Sequence, residues 1–522
     1  MQRIAIGTGP LTEDDVVAIA RDGAGVSLDE SALAAITHSR GIIESLADDV
    51  EPHYGISTGF GALATKHIPL DQRALLQRSL IRSHAAGSGP EVETEVVRAM
   101  MTLRLSTLAT GHTGVRPQTA QALAGLLDTG LTPVVHEFGS LGCSGDLAPL
   151  AHVALALIGE GTVRDASGAL LPTADALPAH GLAAIELAEK EGLALINGTD
   201  GMLGQLLLAC TDLDLLLRTA DLCAAMSVEA MLGTDRVFAA DLQALRPHPG
   251  LGVAAGNIRA LLANSPIVAS HAGPDCVYVQ DAYSMRCAPQ VTGAARDTLA
   301  HARTVAAHEL ASAVDNPVVL FETEDAGNAE ARVQSNGNFH GAPVAYVLDF
   351  LAIPAADVAS ISERRTDRML DVARSRGLPP FLAGDPGVDS GHMIAQYTQA
   401  ALVSELKRLA VPASVDSIPS SAMQEDHVSM GWSAARKLRR AVDALGRVLA
   451  IELLTAARAL DLRAPLQPSP ATGAVVAALR TAGVAGTGHD RFLAPEIEAA
   501  VQRVTSGAAV AAADAALADP LR

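Results

Sequence analysis

Residues 139–150, GSLGCSGDLAPL, place small side chains, an acid and a proline between two apolar runs. Three interpretations are open for the central tripeptide, Cys143-Ser144-Gly145. It can be a plain turn, with Asp146 near the N-terminus of a following helix. It can carry a nucleophilic serine or cysteine, although the GxSxG elbow is absent because Gly145 directly follows Ser144. It can also cyclise through its own backbone.

Backbone cyclisation joins the Gly145 nitrogen to the carbonyl carbon of Cys143 and releases two waters, one of which takes the Ser144 hydroxyl. The product is a methylidene-imidazolone ring with an electrophilic methylene group. Glycine is needed at 145 because its nitrogen must approach a carbonyl two residues back with no Cβ in the way. Serine is needed at 144 because its leaving hydroxyl creates the alkene. A planar amide is a poor nucleophile, so the reaction requires a fold that holds the loop compressed.

Two of the five tyrosines in the chain, Tyr54 and Tyr283, lie in polar clusters that interrupt the apolar sequence. A phenol in such a loop can act as an acid or a base. It can equally cap the edge of a core, with its ring buried and its hydroxyl in water. The clusters are HYGISTGFG at 53–61, QDAYSMRC at 280–287 and SSAMQEDH at 420–427.

The elements that must position these clusters are mainly helices. Hydrophobic residues make up 49% of the 522 residues but aromatic residues only 3%, so the core is built from Ala, Leu and Val, which suits closely packed helices. Thr12 and the acids after it predict a helix N-terminus. We predict an N-terminal domain over 1–205 that carries the GSLGCSGD loop and a long-helix bundle over 206–522. Apolar residues at steps of three and four predict helices over 92–108, 202–232, 294–314, 342–361 and 432–462, and brief alternation predicts strands over 3–7 and within 161–172.

Composition and charge argue against several classes of partner. The net charge of −20 disfavours nucleic acid and anionic membranes. No uncharged apolar run reaches the length of a membrane span, and the N-terminal residues lack a signal core, so we expect a soluble cytoplasmic protein. The cysteines at 143, 210, 223, 276 and 287 form no CxxC pair, which predicts neither a disulfide framework nor a metal site. No GxGxxG or GxxxxGK[ST] loop is present.

Seven segments, in colinear order, resemble the aromatic amino-acid lyases and aminomutases, and among them the histidine ammonia-lyase family. The resemblance implies a mainly α fold in which an N-terminal cofactor-bearing domain is followed by a central bundle of long helices, the fumarase/aspartase-like superfold. It implies a 4-methylidene-imidazol-5-one (MIO) group formed autocatalytically from Cys143-Ser144-Gly145, with no metal or external coenzyme. It also implies a homotetramer whose sites are shared between subunits. The segments are YGISTGFG, RSHAAG, GSLGCSGDLAPL, EGLALINGTDGM, QDAYSMRCAPQ, SNGNFHG and SSAMQEDHVSM.

The resemblance also implies roles for individual residues. Tyr54 resembles the base that takes the β-proton, and Tyr283 resembles a second phenol of the site. Arg286 resembles the guanidinium that grips the substrate carboxylate. Asn197 resembles an amide that orients the substrate near the ring. The positions implied to bind substrate are His84, Asn197, Gln280, Arg286, Phe339 and Glu425, of which His84 and Glu425 face the substrate side chain.

Some of these residues have structural alternatives on sequence alone. His84 can be a solvated histidine on a helix, and Arg286 can belong to a structural ion pair. Glu425 can be an acid in the first turn of a helix. Three positions depart from the usual family pattern: Cys143 stands where alanine is usual, and Ser57 and Met423 stand where asparagine is common. Because the side chain at 143 is not consumed, we expect cyclisation to survive that change.

The expected reaction is elimination of ammonia from L-histidine to give trans-urocanate, the first step of histidine degradation. The alternative is a tyrosine or phenylalanine ammonia-lyase, or an aminomutase, that uses the same prosthetic group. Glu425 argues against that alternative, because a phenyl ring offers a carboxylate nothing to bind whereas an imidazole offers an N–H. The fumarase–aspartase enzymes are a further alternative, but their Pro-x-Lys-x-Asn continuation is absent after residues 420–423.

Overall fold

The alanine- and leucine-rich sequence folds mainly into helices, which confirms the predicted fold class. The structure is a computed structural model that describes residues 2–47, 58–59, 66, 68–142, 145–273, 276, 279–321 and 331–522. The five long helical segments predicted from periodicity are all present. They are α4 (Thr94–Ala109), α9 (Asp200–Ala230), α14 (Ala288–Leu310), α15 (Ala342–Leu370) and α17 (Gly431–Asp461).

The chain divides into two compact units, each assembled from three segments. The first contains Met1–Leu208, Arg303–Leu348 and Pro412–Arg436, and the second contains Ala209–Ala302, Asp349–Val411 and Lys437–Arg522. The division into domains 1–205 and 206–522 in chain order stays a prediction.

The remaining α-helices of the described residues are α1 (Glu13–Ala20), α2 (Glu30–Ala47), α3 (Arg73–His84), α5 (Pro117–Thr129), α6 (Leu147–Leu157), α7 (Thr173–Ala179), α8 (Glu191–Ile196), α10 (Ala240–Ala244), α11 (Pro249–Leu261), α12 (Pro266–Ala269), α13 (Tyr283–Arg286), α16 (Met393–Leu409), α18 (Pro470–Thr481), α19 (Ala494–Thr505) and α20 (Ala508–Asp514).

Short strands flank the helices of the first unit. β1 (Arg3–Ile6) pairs in parallel with β2 (Gly25–Leu28), and β3 (Ser88–Glu91) pairs antiparallel with β5 (His136–Phe138). The strands predicted near the N-terminus and within 161–172 are confirmed. The latter are β6 (Thr162–Arg164) and β7 (Leu170–Pro172), which form an antiparallel sheet with β4 (Thr132–Pro133) in the order β4-β6-β7. A further antiparallel pair consists of β8 (Val318–Leu320) and β9 (Arg332–Gln334).

Local sequence signals explain where helices begin and which faces they bury. Thr12 accepts a hydrogen bond from the Asp15 backbone N–H, and the Asp15 carboxylate accepts one in return, so a capping box starts α1 as predicted. Along α17, Leu438, Leu445 and Leu453 are fully buried. They continue the apolar stripe read from the sequence, which places a helix face in a core.

One described helix, α15, is long and apolar enough to cross a membrane by length and composition alone. Its most apolar window has a mean hydropathy of 1.7, but 61% of that window is buried inside the protein. Core helices of soluble proteins have the same property, so this helix is weak evidence for a membrane segment.

Candidate active site

A buried arginine fixes the turn that carries Asn197. The turn follows α8 and leads into α9. From α4, the guanidinium of Arg104 donates to the backbone oxygens of Ala194, Asn197 and Val314 at 2.9, 3.0 and 3.0 Å. The same group lies 2.8 Å from the Asp200 carboxylate, and neither charged side chain is appreciably exposed. A buried charge needs such partners, and these contacts of the two terminal guanidinium nitrogens of Arg104 hold the turn in one geometry.

A second buried ion pair lies beside the Asn197 side chain. Lys190 Nζ is 2.5 Å from Asp315 Oδ2, and both side chains are fully buried. Burial lowers the pKa of Lys190 and raises that of Asp315, while their mutual attraction opposes both shifts. Asn197 Nδ2 donates to the Asn316 carbonyl at 2.8 Å. Its buried Oδ1 has no hydrogen-bond partner among the described residues, which leaves an acceptor free for a ligand.

The flanks of the predicted cofactor loop are built for glycine. Gly142 and Gly145 face each other in an antiparallel bridge, so both ends of the Cys143-Ser144 dipeptide are held close together. Gly145 has φ +82°, and a Cβ there would lie 2.0 Å from the Gly198 carbonyl oxygen. The chain around Gly145 therefore leaves room only for glycine, as the cyclisation chemistry requires. Cys143 and Ser144 themselves lie outside the described residues.

Segment 428–431 clamps the other side of this loop. The Ser429 hydroxyl donates to the Gly142 carbonyl at 3.1 Å, and Met430 N–H donates to the Leu141 carbonyl at 2.9 Å. A Cβ on Gly142, where φ is +72°, would lie 2.1 Å from Ser429 Oγ. Together with the bridge and the unpaired Asn197 oxygen, these contacts are compatible with the MIO group predicted from the sequence.

Asp146 does not act as the simple helix cap considered from the sequence. It precedes α6, but its carboxylate makes no capping bond to that helix. It accepts instead from the Ser140 hydroxyl and from Met202 N–H in the first turn of α9, both at 2.8 Å. Burial raises the pKa of Asp146 to about 7, against the lowering effect of these hydrogen bonds. Asp146 thus ties the cofactor loop to the start of α9.

His84 and Glu425 lie within electrostatic reach of each other in the first unit. His84 ends α3 and is half-buried, with Nδ1 2.9 Å from the Leu80 carbonyl. Burial lowers the pKa of His84, and the Leu80 carbonyl and the negative charge of Glu425 oppose that shift. The structure therefore brings together the two residues predicted to face the substrate side chain.

The turn before Glu425 is strained and held by short contacts. Ser421, Ala422 and Met423 have φ of 50°, 53° and 70°, values that are costly for residues with a Cβ. Ser420 and Glu425 exchange backbone hydrogen bonds across the turn, and the Ser420 hydroxyl donates to Glu425 Oε2 at 2.9 Å. Backbone strain persists where surrounding contacts over-determine it, and it concentrates at functional sites.

Phe339 lies next to a contact with the Glu425 segment. It is half-buried in a turn closed by a 2.7 Å hydrogen bond from His340 N–H to the Gly337 carbonyl. The His340 ring stacks on the ring of His427 with centroids 5.6 Å apart and an interplanar angle of 6°. This stacking holds the segments of Phe339 and Glu425 side by side.

In the second unit, Gln280, Tyr283 and Arg286 form one cluster. The one-turn helix α13 places Arg286 three residues after Tyr283, and the guanidinium carbon lies 4.7 Å from the centroid of the phenol ring. With its amide oxygen turned towards Arg286, Gln280 accepts hydrogen bonds from the guanidinium. Tyr283 is 72% exposed. Beneath the cluster, buried Asp281 accepts from Thr234 N–H at 2.8 Å and fixes the segment.

The structure therefore places the predicted residues as follows. His84 and Glu425 are brought together, and Gln280, Tyr283 and Arg286 are brought together. Tyr54, Cys143 and Ser144 lie outside the described residues, so their roles stay predictions.

Comparison with known proteins gives the family. A family model described as aromatic amino acid lyase matches residues 11–481. The chain belongs to this family. One curated member, the histidine ammonia-lyase of Streptomyces avermitilis, is 63% identical over 98% of this chain and 99% of its own length. That of Streptomyces coelicolor is 61% identical over the whole of both chains. The crystal structure of a tyrosine aminomutase from Streptomyces globisporus superposes with a TM-score of 0.93 at 38% identity, covering all of both chains.

In this aromatic amino acid lyase, the buried charges around the Asn197 turn were not predicted from the sequence. Arg104, Lys190 and Asp315 carry no motif, and their partners are far away in sequence. One signal was available for Arg104: it interrupts the apolar run of α4, where a charged side chain is rarely buried without a partner.

Proposed function

We propose that the chain is a histidine ammonia-lyase that converts L-histidine to trans-urocanate and ammonia. The observation that carries this proposal is that Glu425 lies within electrostatic reach of His84 in the first unit. A carboxylate there can accept the N–H of a substrate imidazole, whereas a phenyl ring would desolvate the carboxylate without offering it a donor. Identities of 61–63% to histidine ammonia-lyases over nearly the whole chain support the same specificity.

The prosthetic group belongs to the same proposal. Cys143, Ser144 and Gly145 would form the MIO ring, and the contacts of Gly142, Gly145 and Gly198 would hold it. Once formed, the group supplies an electrophile that makes the substrate amine a better leaving group. The unpaired Oδ1 of Asn197 is the buried acceptor available for orienting the substrate next to it.

The remaining steps fall to side chains of this chain. Arg286 donates a fork of hydrogen bonds to the substrate carboxylate, with Gln280 and Phe339 lining the site. Tyr54 takes the β-proton, after which the carbon–nitrogen bond breaks, a double bond forms and ammonia leaves. A free phenol has a pKa of about 10, so a nearby positive charge must favour the Tyr54 anion at neutral pH. Tyr283 is the second candidate for this role.

We also propose a soluble cytoplasmic homotetramer with sites shared between subunits. Exposed apolar side chains on two long helices support an assembly through helix faces. On α15, Tyr346, Phe350 and Ile353 follow a helical spacing, and all three are exposed. Ile394 and Tyr397 do the same on α16. The strong exposure of Tyr283 is further support, because a substrate-binding phenol needs a more enclosed setting than one chain provides.

Two measurements test the function and the prosthetic group. Purified protein should produce urocanate, followed by its absorbance, with a higher kcat/KM for L-histidine than for L-tyrosine or L-phenylalanine. The intact mass should fall two waters short of the sequence mass, and Ser144→Ala should regain one or both and lose turnover. A preference for tyrosine or phenylalanine would overturn the histidine assignment. An active enzyme of unmodified mass would overturn the MIO assignment.

A further inference from the structure

His84 is joined to Gly87 by a stiff turn. α3 ends at His84, and the next residue, Ala85, has φ −73° and ψ 58°. These angles are those of an inverse γ-turn, and Ala86 N–H donates to the His84 carbonyl at 2.8 Å as that turn requires. Gly87 directly follows this hydrogen-bonded turn. A displacement of the Gly87 backbone should therefore also displace the end of α3.

The backbone of Gly87 is held by a histidine from another helix. Gly87 N–H donates to His152 Nε2 on α6 at 3.1 Å. A Cβ on Gly87 would lie 3.0 Å from that nitrogen and 3.4 Å from His136 Cβ, so the imidazole packs directly on the backbone. Burial lowers the pKa of His152, and the charge of His136 acts in the same direction. The neutral ring keeps Nε2 free to accept.

The same contact adjoins the cofactor loop. A Cβ on Gly139, the first residue of GSLG, would lie 3.2 Å from Gly87 Cα and 2.9 Å from Ala148 Cβ. Ala148 belongs to α6, which begins directly after the loop and carries His152 one turn further on. His152 thus joins the end of α3 to the helix that follows Cys143-Ser144-Gly145.

We infer that His152 is a positioning residue for recognition of the substrate side chain: its Nε2 holds the Gly87 amide and so fixes the end of α3, which carries His84. The inference rests on the proposed function, because it gives His84 a substrate to face. His152 acts through His84, and we assign it no contact with the reacting atoms of the substrate. Its removal should therefore weaken histidine binding and recognition rather than the elimination step.

A pair of variants separates the hydrogen bond from the volume of the ring. In His152→Gln, the amide oxygen reaches the place of Nε2 and can accept from Gly87 N–H. In His152→Leu the volume is filled, but the partly buried Gly87 N–H loses its acceptor. His180, an exposed histidine at the end of α7, provides the control His180→Leu, which should behave as wild type.

The expected result is a split between binding and turnover. His152→Leu should raise KM for L-histidine about tenfold, the net worth of one lost hydrogen bond, with kcat within about threefold of wild type. The preference for histidine over phenylalanine should fall by a similar factor. His152→Gln should restore both values to within about threefold of wild type. In both variants the intact mass should fall two waters short of the variant's own sequence mass, as in wild type.

A double variant tests the route through His84. If His152 acts by placing His84, adding His152→Leu to His84→Gln should cost nothing further in KM. An additional tenfold loss in that background would overturn the inference, as would equal KM values for the Leu and Gln variants. A regained water mass in His152→Leu would also overturn it, because the residue would then serve ring formation.

A last comparison keeps the two proposals separate. A wild-type enzyme that prefers another amino acid overturns the proposed function, whereas a histidine-preferring enzyme indifferent to His152→Leu overturns only the inference. If His152→Leu yields no soluble protein, Gly87→Ala takes its place, since its Cβ would push on His152 Nε2. That variant should raise KM for L-histidine in the same direction, and an unchanged KM would overturn the inference.

Discussion

The Asn197 turn and the cluster at 280–286 both carry residues implied to contact substrate, yet their settings are opposite. The turn is buried, and Arg104 holds it through three backbone carbonyls and one carboxylate. In the cluster, Arg286 contacts the side chains of Gln280 and Tyr283, and that tyrosine is largely exposed. The cyclisation proposed for residues 143–145 requires neighbouring backbone that is held rigidly. The carboxylate binding proposed for Arg286 requires only that its guanidinium be oriented towards the substrate.

The two settings also differ in energetic cost. Burying Arg104 with Asp200 and Lys190 with Asp315 carries a desolvation penalty, and breaking either pair would leave an uncompensated buried charge, which typically costs about 3–5 kcal/mol. An exposed cation–π contact such as Arg286 over Tyr283 is worth only about 0.5–1 kcal/mol. Changes near the turn should therefore act through structure and maturation, and changes in the cluster should act through substrate binding.

The largest effect is expected at Gly145. Gly145→Ala places a Cβ 2.0 Å from the Gly198 oxygen in a backbone with φ +82°, so the loop cannot keep its geometry. We expect an intact mass equal to the sequence mass and turnover at background level. Gly252→Ala is the matched control, because that helical glycine has nothing within 4 Å of a Cβ. A Gly145→Ala protein that still loses two waters would contradict the expectation that changes beside the buried turn act through maturation.

The next effect is expected at the two tyrosines, Tyr54 and Tyr283. Tyr54→Phe keeps the ring but removes the ionisable oxygen, so kcat should fall by ~10²–10⁴, the usual worth of general-base catalysis. Tyr283→Phe keeps the face on which Arg286 lies and should affect kcat less. Single-turnover and steady-state kinetics on both variants measure the split. If the larger loss follows Tyr283, the base belongs to the exposed cluster.

A smaller effect, confined to binding, is expected at Arg286. Arg286→Lys keeps the charge but loses the planar fork, which should lower kcat/KM by about 10- to 100-fold, mostly through KM. The exposed Arg408 of α16 provides the control Arg408→Lys, which should leave both constants unchanged. A fall in kcat with KM unchanged would show that Arg286 acts on the transition state alone, contrary to its assigned role.

The contrast between the settings also explains what could be predicted from sequence. The spacing of apolar residues predicts helices such as α9 and α17, and the chemistry of cyclisation predicts that position 145 must be glycine. The contacts of Arg104 join residues 90 and 210 positions apart, and no local pattern encodes such pairings. Asp146 shows the same limit: an acid before a helix favours a cap on that helix, but its actual partner is the start of α9. Local rules predict elements, whereas buried polar partners depend on topology.

The last variant, at Glu425, tests selectivity through kcat/KM. Its carboxylate is half-buried, held by the Ser420 hydroxyl at 2.9 Å and within electrostatic reach of His84. Glu425→Gln keeps the size but removes the charge, so kcat/KM for L-histidine should fall at least ~10-fold, about 1.4 kcal/mol. Rejection of phenylalanine should weaken too, because desolvating a neutral amide against a phenyl ring costs less than desolvating a carboxylate. Asp426→Asn, at the exposed neighbouring position, is the control for loss of one negative charge. The measurement is kcat/KM for L-histidine, L-tyrosine and L-phenylalanine in all three proteins. A variant with an unchanged histidine-to-phenylalanine ratio would make Glu425 a support for the strained turn at 421–423, and selectivity would then rest on His84.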